Sequence, residues 1–403
     1  MEWALPSFTL AQPLQWNALL VFGGLLLFGL IAGYVVSKSP WVPRITGYLL
    51  VGFILGSGGL NLLSGEVLKV TNIFADVAMA LVVYQLGRYV DIGWLRREKW
   101  LLATVGVSAV LCFGFVSLAL MWFGTSSVLA LIGGVMAIAT APAVVLVVLR
   151  DVKAEGQVTR RLAAMTALNN FVAVLAAYAL LPVIAHEAGT PVLTLIQHTL
   201  YSLGGAFLLA YLTYWLMMPL ARLLGRQRSG QFVLVISVIS LAIGVAHAFH
   251  LPVMLTMLIF AILSKNLDRQ YDLMELEFGV ANELFIVMLF ITVGASMQLS
   301  DLSLLGFSVL ILVAARFVAM GCGVFLFARF AKMNWKQASL LTLGTLPMTE
   351  AGLGLMQTLS TLYPHTAAAV LPLLAGTLIV LELLGPVATQ FALIKSGESG
   401  RES

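Results

Sequence analysis

LIGGVMAIATAPAVVLVVL, residues Leu131 to Leu149, is the stretch that decides the fold. It is apolar enough for a membrane helix, yet it carries Gly133-Gly134 and, near its middle, Pro142. Proline removes a backbone donor and clashes with the preceding turn, so a continuous helix is not expected here. Irregular backbone at membrane depth survives only where protein or a watery cavity satisfies it. The stretch therefore predicts an interrupted helix inside a membrane protein.

A second span of the same kind lies in the other half of the chain. LTLGTLPMTEAGLGL, Leu341 to Leu355, contains Gly344 and Pro347, followed by two further glycines. Paired interrupted helices in two halves are the best sequence pointer to a transporter's binding site, although two proline kinks without a site would look alike. An inverted repeat would bring the two breaks together at the midplane, where helix ends project partial charges.

Composition excludes an ordinary soluble domain. The 403 residues are 61% hydrophobic and only 10% charged, with a mean hydropathy of +1.01. Because a spanning helix needs about 20 apolar residues, the pattern predicts an all-α polytopic protein with about 13 transmembrane helices. The predicted spans are 16–37, 44–60, 71–88, 100–123, 127–150, 161–184, 193–221, 231–249, 251–265, 278–298, 304–331, 336–360 and 366–394.

Lysine and arginine indicate the orientation. Of the 22 basic residues, all but Lys69 and Arg316 fall on one side when the predicted loops alternate. The positive-inside rule therefore favours an N-out, C-in arrangement in the cell's inner (cytoplasmic) membrane. This bias also explains the net charge of +4 without a nucleic-acid partner.

The chain is expected to be a single transporter unit, 1–403, embedded in the lipid bilayer. No linker divides it, and only about nine residues follow the last predicted helix, so we expect no cytosolic regulatory domain. No metal-ligand cluster, nucleotide loop or nucleophile with a base is visible, which predicts neither a cofactor nor an enzyme. The Gly52 to Gly56 spacing permits a close helix crossing.

Arg316 is the one basic residue in the middle of an apolar span. An ionised side chain at that depth costs roughly 2.5 to 3.5 kcal/mol on insertion scales, so it is retained mainly for ion or substrate work. The alternative is structural, in which Arg316 ties the two interruptions together through backbone carbonyls or through Glu350.

Five motifs occur in order along the chain. They are PRITGYLLVGFILG (Pro43–Gly56), FADVAMALVVYQLGRYVD (Phe74–Asp91), TAPAVVLVVLRD (Thr140–Asp151), FITVGASM (Phe290–Met297) and LPMTEAGLGL (Leu346–Leu355). Together they resemble the monovalent cation:proton antiporter-2 family of sodium/proton exchanger-like, Kef-type systems. The resemblance implies Na⁺ or K⁺ exchanged for protons by an elevator-like cycle in a homodimer. It also implies a moving core, about 71–184 and 278–360, against dimerisation helices from the remainder.

Carried over by motif, the family's ion pocket falls on Thr140, the pair Asn169-Asn170, Arg316 and Glu350. This chain departs from the family at Asn170, where the resemblance implies an aspartate that binds cation or proton in turn. An asparagine offers a carbonyl oxygen but does not titrate. Glu350 is therefore the candidate titrating group, unless it is locked in an ion pair with Arg316. Asp76 and Glu382 are secondary candidates, for which a structural hydrogen-bonding role is favoured.

Three functions stay open at this point. The leading one is cation:proton antiport with Glu350 as titrating group. The second is transport of another solute, an anion or small organic acid, with Arg316 as counter-charge. The third is a transport-inactive relative of the fold, which the Asn170 departure motivates.

Overall fold

A computed structural model describes residues 18–60, 63, 65–187, 192–225, 227–268, 279–297, 306–349 and 364–400. This part of the chain is built from helices. They are α1 (Ala18–Val36), α2 (Arg44–Leu55), α3 (Gly65–Gly87), α4 (Ile92–Arg97), α5 (Lys99–Trp122), α6 (Ser127–Met136), α7 (Pro142–Asp151), α8 (Gln157–Glu187), α9 (Val192–Leu224), α10 (Arg228–Ala248), α11 (Val253–Leu267), α12 (Gly279–Ser296), α13 (Gly306–Ala328), α14 (Trp335–Gly344) and α15 (Pro364–Ser396).

Six of these helices are long and apolar enough to cross a membrane: α5, α8, α9, α10, α13 and α15. Shorter apolar helices, among them α1, α2 and α11, accompany them. The predicted all-α polytopic class is therefore confirmed for the described residues. The count of 13 spans and the N-out orientation remain predictions.

Two groups of helices pack mainly among themselves. In the first, α5 packs on α6 and α13, while α14 and α15 pack on each other and on α13. In the second, α12 packs on α2 and α3, and α11 packs on α3 and α9. Thus α15, which the sequence-based division left outside the core, contacts the helices that carry both interruptions. Helix α3, which that division placed in the core as span 71–88, packs mainly on α11 and α12 of the second group.

The close crossing predicted from Gly52 and Gly56 is formed between α2 and α12. A Cβ built on Gly52 would lie 2.1 Å from the carbonyl oxygen of Ile291, and one on Gly56 would lie 2.4 Å from Ala295. Such contact requires glycine, because any larger residue would push the helices apart.

The first interruption occurs as predicted. Helix α6 ends at Met136 and α7 begins at Pro142, with Ala141 extended at the N-cap position (φ −65°, ψ 109°). A proline disfavours helical geometry in the residue before it and is itself well suited to the first helical position. One predicted span, 127–150, is therefore two half-helices.

The second interruption begins at the end of α14. That helix starts with a capping box between Asn334 and Gln337 and ends at Gly344. Residues 345–349 are not helical, and Pro347 lies among them. Residues 350–363 lie outside the described part of the chain, so Glu350 is not placed.

The chain end docks on the loop that joins α7 to α8. The carboxylate of Glu398 accepts hydrogen bonds from the backbone amides of Val158 (2.9 Å) and Thr159 (2.7 Å) and from the Thr159 hydroxyl (2.7 Å). These amides belong to the first turn of α8, where a helix lacks internal acceptors and carries partial positive charge. Glu398 therefore caps α8 from a distant part of the sequence.

We predict that Glu398→Gln lowers the melting temperature of the detergent-purified protein. The amide keeps the size of the side chain but removes the charge and one acceptor, which should cost about 1–2 kcal/mol. Glu155→Gln, an exposed neighbour in the same loop, is the matched control and should melt like the wild type. Equal melting of the two variants would contradict the capping role.

Candidate functional site at the meeting of the two interrupted helices

The two interruptions are in direct contact. The amide of Ala141, just before α7, donates a hydrogen bond of 3.1 Å to the carbonyl oxygen of Pro347 in the second break. Helix α15 closes the other side of that break, because a Cβ built on Gly385 would lie 2.8 Å from Pro347. Thr389 also donates to the carbonyl oxygen of Gly344 at 3.3 Å. Backbone groups released by one break are thus satisfied by the other or by α15.

Arg316 of α13 joins the two breaks through five hydrogen bonds to backbone carbonyls. Nε donates to Ala137 at 2.9 Å and Nη2 to Ala139 at 3.0 Å, both in the first break. The acceptors in the second break are Thr345 and Leu346 for Nη1 and Pro347 for Nη2. A guanidinium has five N–H donors. The carbonyls therefore account for all of them.

The position of Arg316 also has an electrostatic basis. Its side chain is 1% exposed, and its acceptors follow the carboxyl ends of α6 and α14. Helix carboxyl ends carry partial negative charge and leave carbonyls without internal donors. One buried cation thus compensates two helix ends at once. The carbonyl tie considered from the sequence is present, and the guanidinium does not need Glu350 to be satisfied.

Asn169 and Asn170 of α8 face the first interruption beside Thr140. The amide nitrogen of Asn169 donates to the Thr140 hydroxyl at 3.1 Å. The amide nitrogen of Asn170 donates to the carbonyl oxygens of Thr140 (2.6 Å) and Thr166 (2.8 Å). All four residues are buried. The pair therefore holds the unwound backbone ahead of α7.

Asn170 makes contacts that an aspartate could not make in its ionised form. Both of its partners are carbonyl oxygens, which accept only, so residue 170 has to donate. Its own side-chain oxygen, like that of Asn169, has no hydrogen-bond partner among the described residues. A buried polar atom without a partner is costly. Two amide oxygens beside Thr140 are thus available to a ligand that accepts oxygen lone pairs, such as a monovalent cation.

A large cavity lies on the side where the basic residues cluster. Its volume is about 1070 Å³. The charged residues in its wall include Arg44, Arg88, Asp91, Arg150, Asp151, Lys153, Arg160, Lys265 and Glu283. Arg44 bridges Asp151 at 2.8 Å and Glu283 at 3.1 Å, so it connects the carboxyl end of α7 to α12. The basic residues named here are those predicted to face the cytoplasm.

A second, small cavity of about 10 Å³ lies next to the first interruption. Its wall contains Glu382 of α15, Thr349 of the second break and residues 141–144 around the start of α7. The opposite wall is apolar and includes Met79 of α3 and Phe290 of α12. Glu382 is 4% exposed. This volume is close to the minimum that holds one water molecule.

The structure thus brings together most of the residues singled out from the sequence. Thr140, Asn169, Asn170 and Arg316 surround the two breaks, and Glu350 lies outside the described residues. Asp76 is exposed on α3 and lines neither cavity described above. The sequence did not identify the carbonyls that hold Arg316 or the position of Glu382 at the start of α7. In the described residues no group of three or more His, Cys, Asp or Glu side chains could hold a metal ion.

This arrangement of interrupted helices defines a class of membrane transport protein, and known structures share the fold. The sodium proton antiporter MjNhaP1 from Methanocaldococcus jannaschii, in a structure at pH 8, matches with a TM-score of 0.67 at 16% identity, covering 94% of this chain and 98% of that one. An electron-microscopy structure of the same antiporter gives a TM-score of 0.70 at 17% identity, covering 94% and 96%. A sequence search of curated proteins found no match.

The chain belongs to the sodium/hydrogen exchanger family. The family description that matches is "Sodium/hydrogen exchanger, transmembrane", and the match covers residues 19–395. The family is one of membrane transporters and not of enzymes. Cations and protons are the substrates that this membership implies.

Arg316→Lys should destabilise the protein even though it keeps the charge. Lysine has three donors in place of five, so at least two carbonyls of the interruptions lose their partner, at about 1–3 kcal/mol each. The melting temperature in detergent should fall by several degrees. Arg329→Lys, at an exposed position just after α13, is the control and should have little effect. If both variants melt like the wild type, the five-bond tie is wrong.

Asn170→Asp should also lower the melting temperature. A carboxylate cannot donate to Thr140 and Thr166, and it would face two carbonyl oxygens. The expected cost is about 2 kcal/mol or more, because two buried acceptors lose their donor. Asn334→Asp serves as control, since Asn334 accepts a bond from the Gln337 amide and aspartate does the same at an N-cap. Undiminished stability of Asn170→Asp would refute the donor role.

Proposed function

We propose that this protein is a monovalent cation:proton antiporter of the inner membrane, which exchanges Na⁺ or K⁺ for protons. The proposal is carried by one observation: the amide oxygens of Asn169 and Asn170, next to Thr140, have no hydrogen-bond partner in the part of the chain that the structure describes. Monovalent cations are hard ions that favour oxygen ligands. Membership of the sodium/hydrogen exchanger family supports the same substrates.

The packing supports an alternating-access cycle of the elevator type. In this proposal α5–α8 and α13–α15 move as one bundle against the remaining helices, which hold the partner copy in a homodimer. Helix α7 belongs to the bundle, whereas Arg44 and Glu283 belong to α2 and α12. The ion pair between Arg44 and Asp151 therefore crosses the moving boundary on the cavity side, and it would have to break when that cavity closes. The motifs favour the antiporter-2, Kef-type branch.

Proton coupling requires a titrating group other than residue 170. Asn170 does not ionise, and its amide is committed to two carbonyls. Glu350 is the group that the motif places in the second interruption, one residue after Thr349. When Glu350 is ionised it provides a negative charge for a bound cation, and when protonated it completes the exchange. Glu350 is therefore a titrating group of the proposed antiport.

The geometry favours a cation over an anion as the transported solute. An anion would use Arg316 as its counter-charge, but the five donors of Arg316 already bond to carbonyls. Binding there would leave those carbonyls unsatisfied. The amide oxygens of Asn169 and Asn170, by contrast, have no hydrogen-bond partner among the described residues.

Proteoliposomes test the proposal directly. With the purified protein in vesicles that enclose a pH-sensitive dye, addition of Na⁺ or K⁺ should drive proton flux across the membrane. Glu350→Gln should reduce this flux at least tenfold while the melting temperature stays near that of the wild type.

The control variant is Lys69→Gln, which removes a charge from a residue predicted to lie outside the pocket, on the outer face. Absence of cation-driven proton flux in the wild type would reject antiport. Full flux in Glu350→Gln would reject only the role of Glu350.

A further inference from the structure

Glu382 stands out from the other carboxylates of the described residues. Its side chain is 4% exposed, and it lies in the middle of α15, a helix that meets the membrane-span criteria. Asp76 on α3 is exposed, and Glu283 on α12 is in an ion pair with Arg44. A carboxylate at bilayer depth is expensive to retain and marks an ion or proton pathway in most membrane proteins.

Glu382 lies on the face of α15 that covers the interruptions. Gly385 and Thr389 follow it at spacings of three and seven, which places all three residues on one side of the helix. Gly385 touches Pro347, and Thr389 donates to Gly344. The carboxylate of Glu382 is therefore directed to the second break by the same face.

The small cavity brings Glu382 to the start of α7. Its wall includes residues 141–144, which contain the first turn of that half-helix, and Thr349. Ala141, at the N-cap, has no side chain that caps the helix, and Pro142 has no amide hydrogen. The remaining amides of the first turn form a site of partial positive charge, which stabilises an anionic side chain.

The wall of this cavity begins one residue after Thr140, with which Asn169 and Asn170 form hydrogen bonds. Glu382 therefore lies beside the first break on α15, and Asn169 and Asn170 contact the same break from α8. Arg316 contributes a positive charge that is held by helix carboxyl ends. A negative charge at Glu382 restores the attraction for a cation that asparagine at position 170 does not provide.

A short apolar barrier separates Glu382 from the large cavity. The same three helices line both cavities. The small cavity is lined by Met79 of α3, Val144 of α7 and Leu289 of α12, and the large cavity by Tyr84, Leu146 and Ile286 of the same helices. At 1.5 Å per residue these offsets of two to five residues correspond to about 3–8 Å. Protons and ions from the large cavity thus have a short distance to cover.

We propose that Glu382 is a titrating ligand of the ion site: its carboxylate binds the monovalent cation when ionised and takes up the transported proton when the cation leaves. The inference rests on the proposed antiport and assigns part of its coupling to a residue on α15. Cation binding and proton release are then one equilibrium at this group, because the two ligands compete for the same oxygens.

The experiment uses the full-length purified protein with Na⁺ and K⁺ as probes. Addition of the cation to the wild type in weakly buffered detergent should release protons, detected with a pH indicator, and proteoliposomes should show exchange. Glu382→Gln should release fewer protons on cation addition and reduce exchange at least tenfold, with a melting temperature near that of the wild type. Lys69→Gln, the control variant named above, should behave like the wild type in both assays.

Glu382→Asp keeps a carboxylate and decides the matter if the glutamine variant fails to fold. A titrating role predicts residual exchange whose pH midpoint is displaced by about 0.4 units or more, because aspartate is the stronger acid. Exchange in Glu382→Asp with the pH profile of the wild type would overturn the proposal, and so would undiminished proton release by folded Glu382→Gln. If the wild type neither exchanges nor releases protons, antiport itself fails, which is a separate result.

Discussion

The guanidinium of Arg316 is the interaction on which the rest of the site depends. Two half-helices end near the same point, and each leaves carbonyl groups that lipid cannot satisfy. The side chain of Arg316, with its five N–H donors, forms hydrogen bonds with the carbonyl oxygens at both ends. Lysine or a neutral residue could not, because neither has the number and spread of donors. The interrupted geometry is therefore maintained by side-chain chemistry from a third helix.

Charge is distributed around the break according to helix polarity. The buried cation stands at carboxyl ends of half-helices, and the buried carboxylate of Glu382 stands near an amino end. Asn169 and Asn170 of α8 contribute dipoles without net charge. The site is thus arranged to hold one cation with little net charge of its own, which agrees with its place inside a membrane.

Much of this architecture is predictable from sequence, because the features that reveal it lie within single apolar spans. Pro142 and Pro347, each with glycines nearby in an apolar span, mark the two interruptions, and Arg316 is conspicuous in such a span. The partners of Arg316 were not predictable as individual carbonyls, because they depend on how two breaks meet in space. Glu382 was undervalued for a similar reason. It lies in a regular helix with no local signal, and only the packing of Gly385 on Pro347 reveals which way its face is turned.

The large cavity has a consequence for membrane voltage. A water-accessible vestibule conducts, so the transmembrane potential does not fall across it but across the protein that remains. Because the vestibule approaches within a few residues of Glu382 on three helices, an ion at that carboxylate is electrically close to the basic side. Moving a full charge through 100 mV costs about 2.3 kcal/mol. Most of this electrical work is done while the ion moves between Glu382 and the opposite side of the membrane.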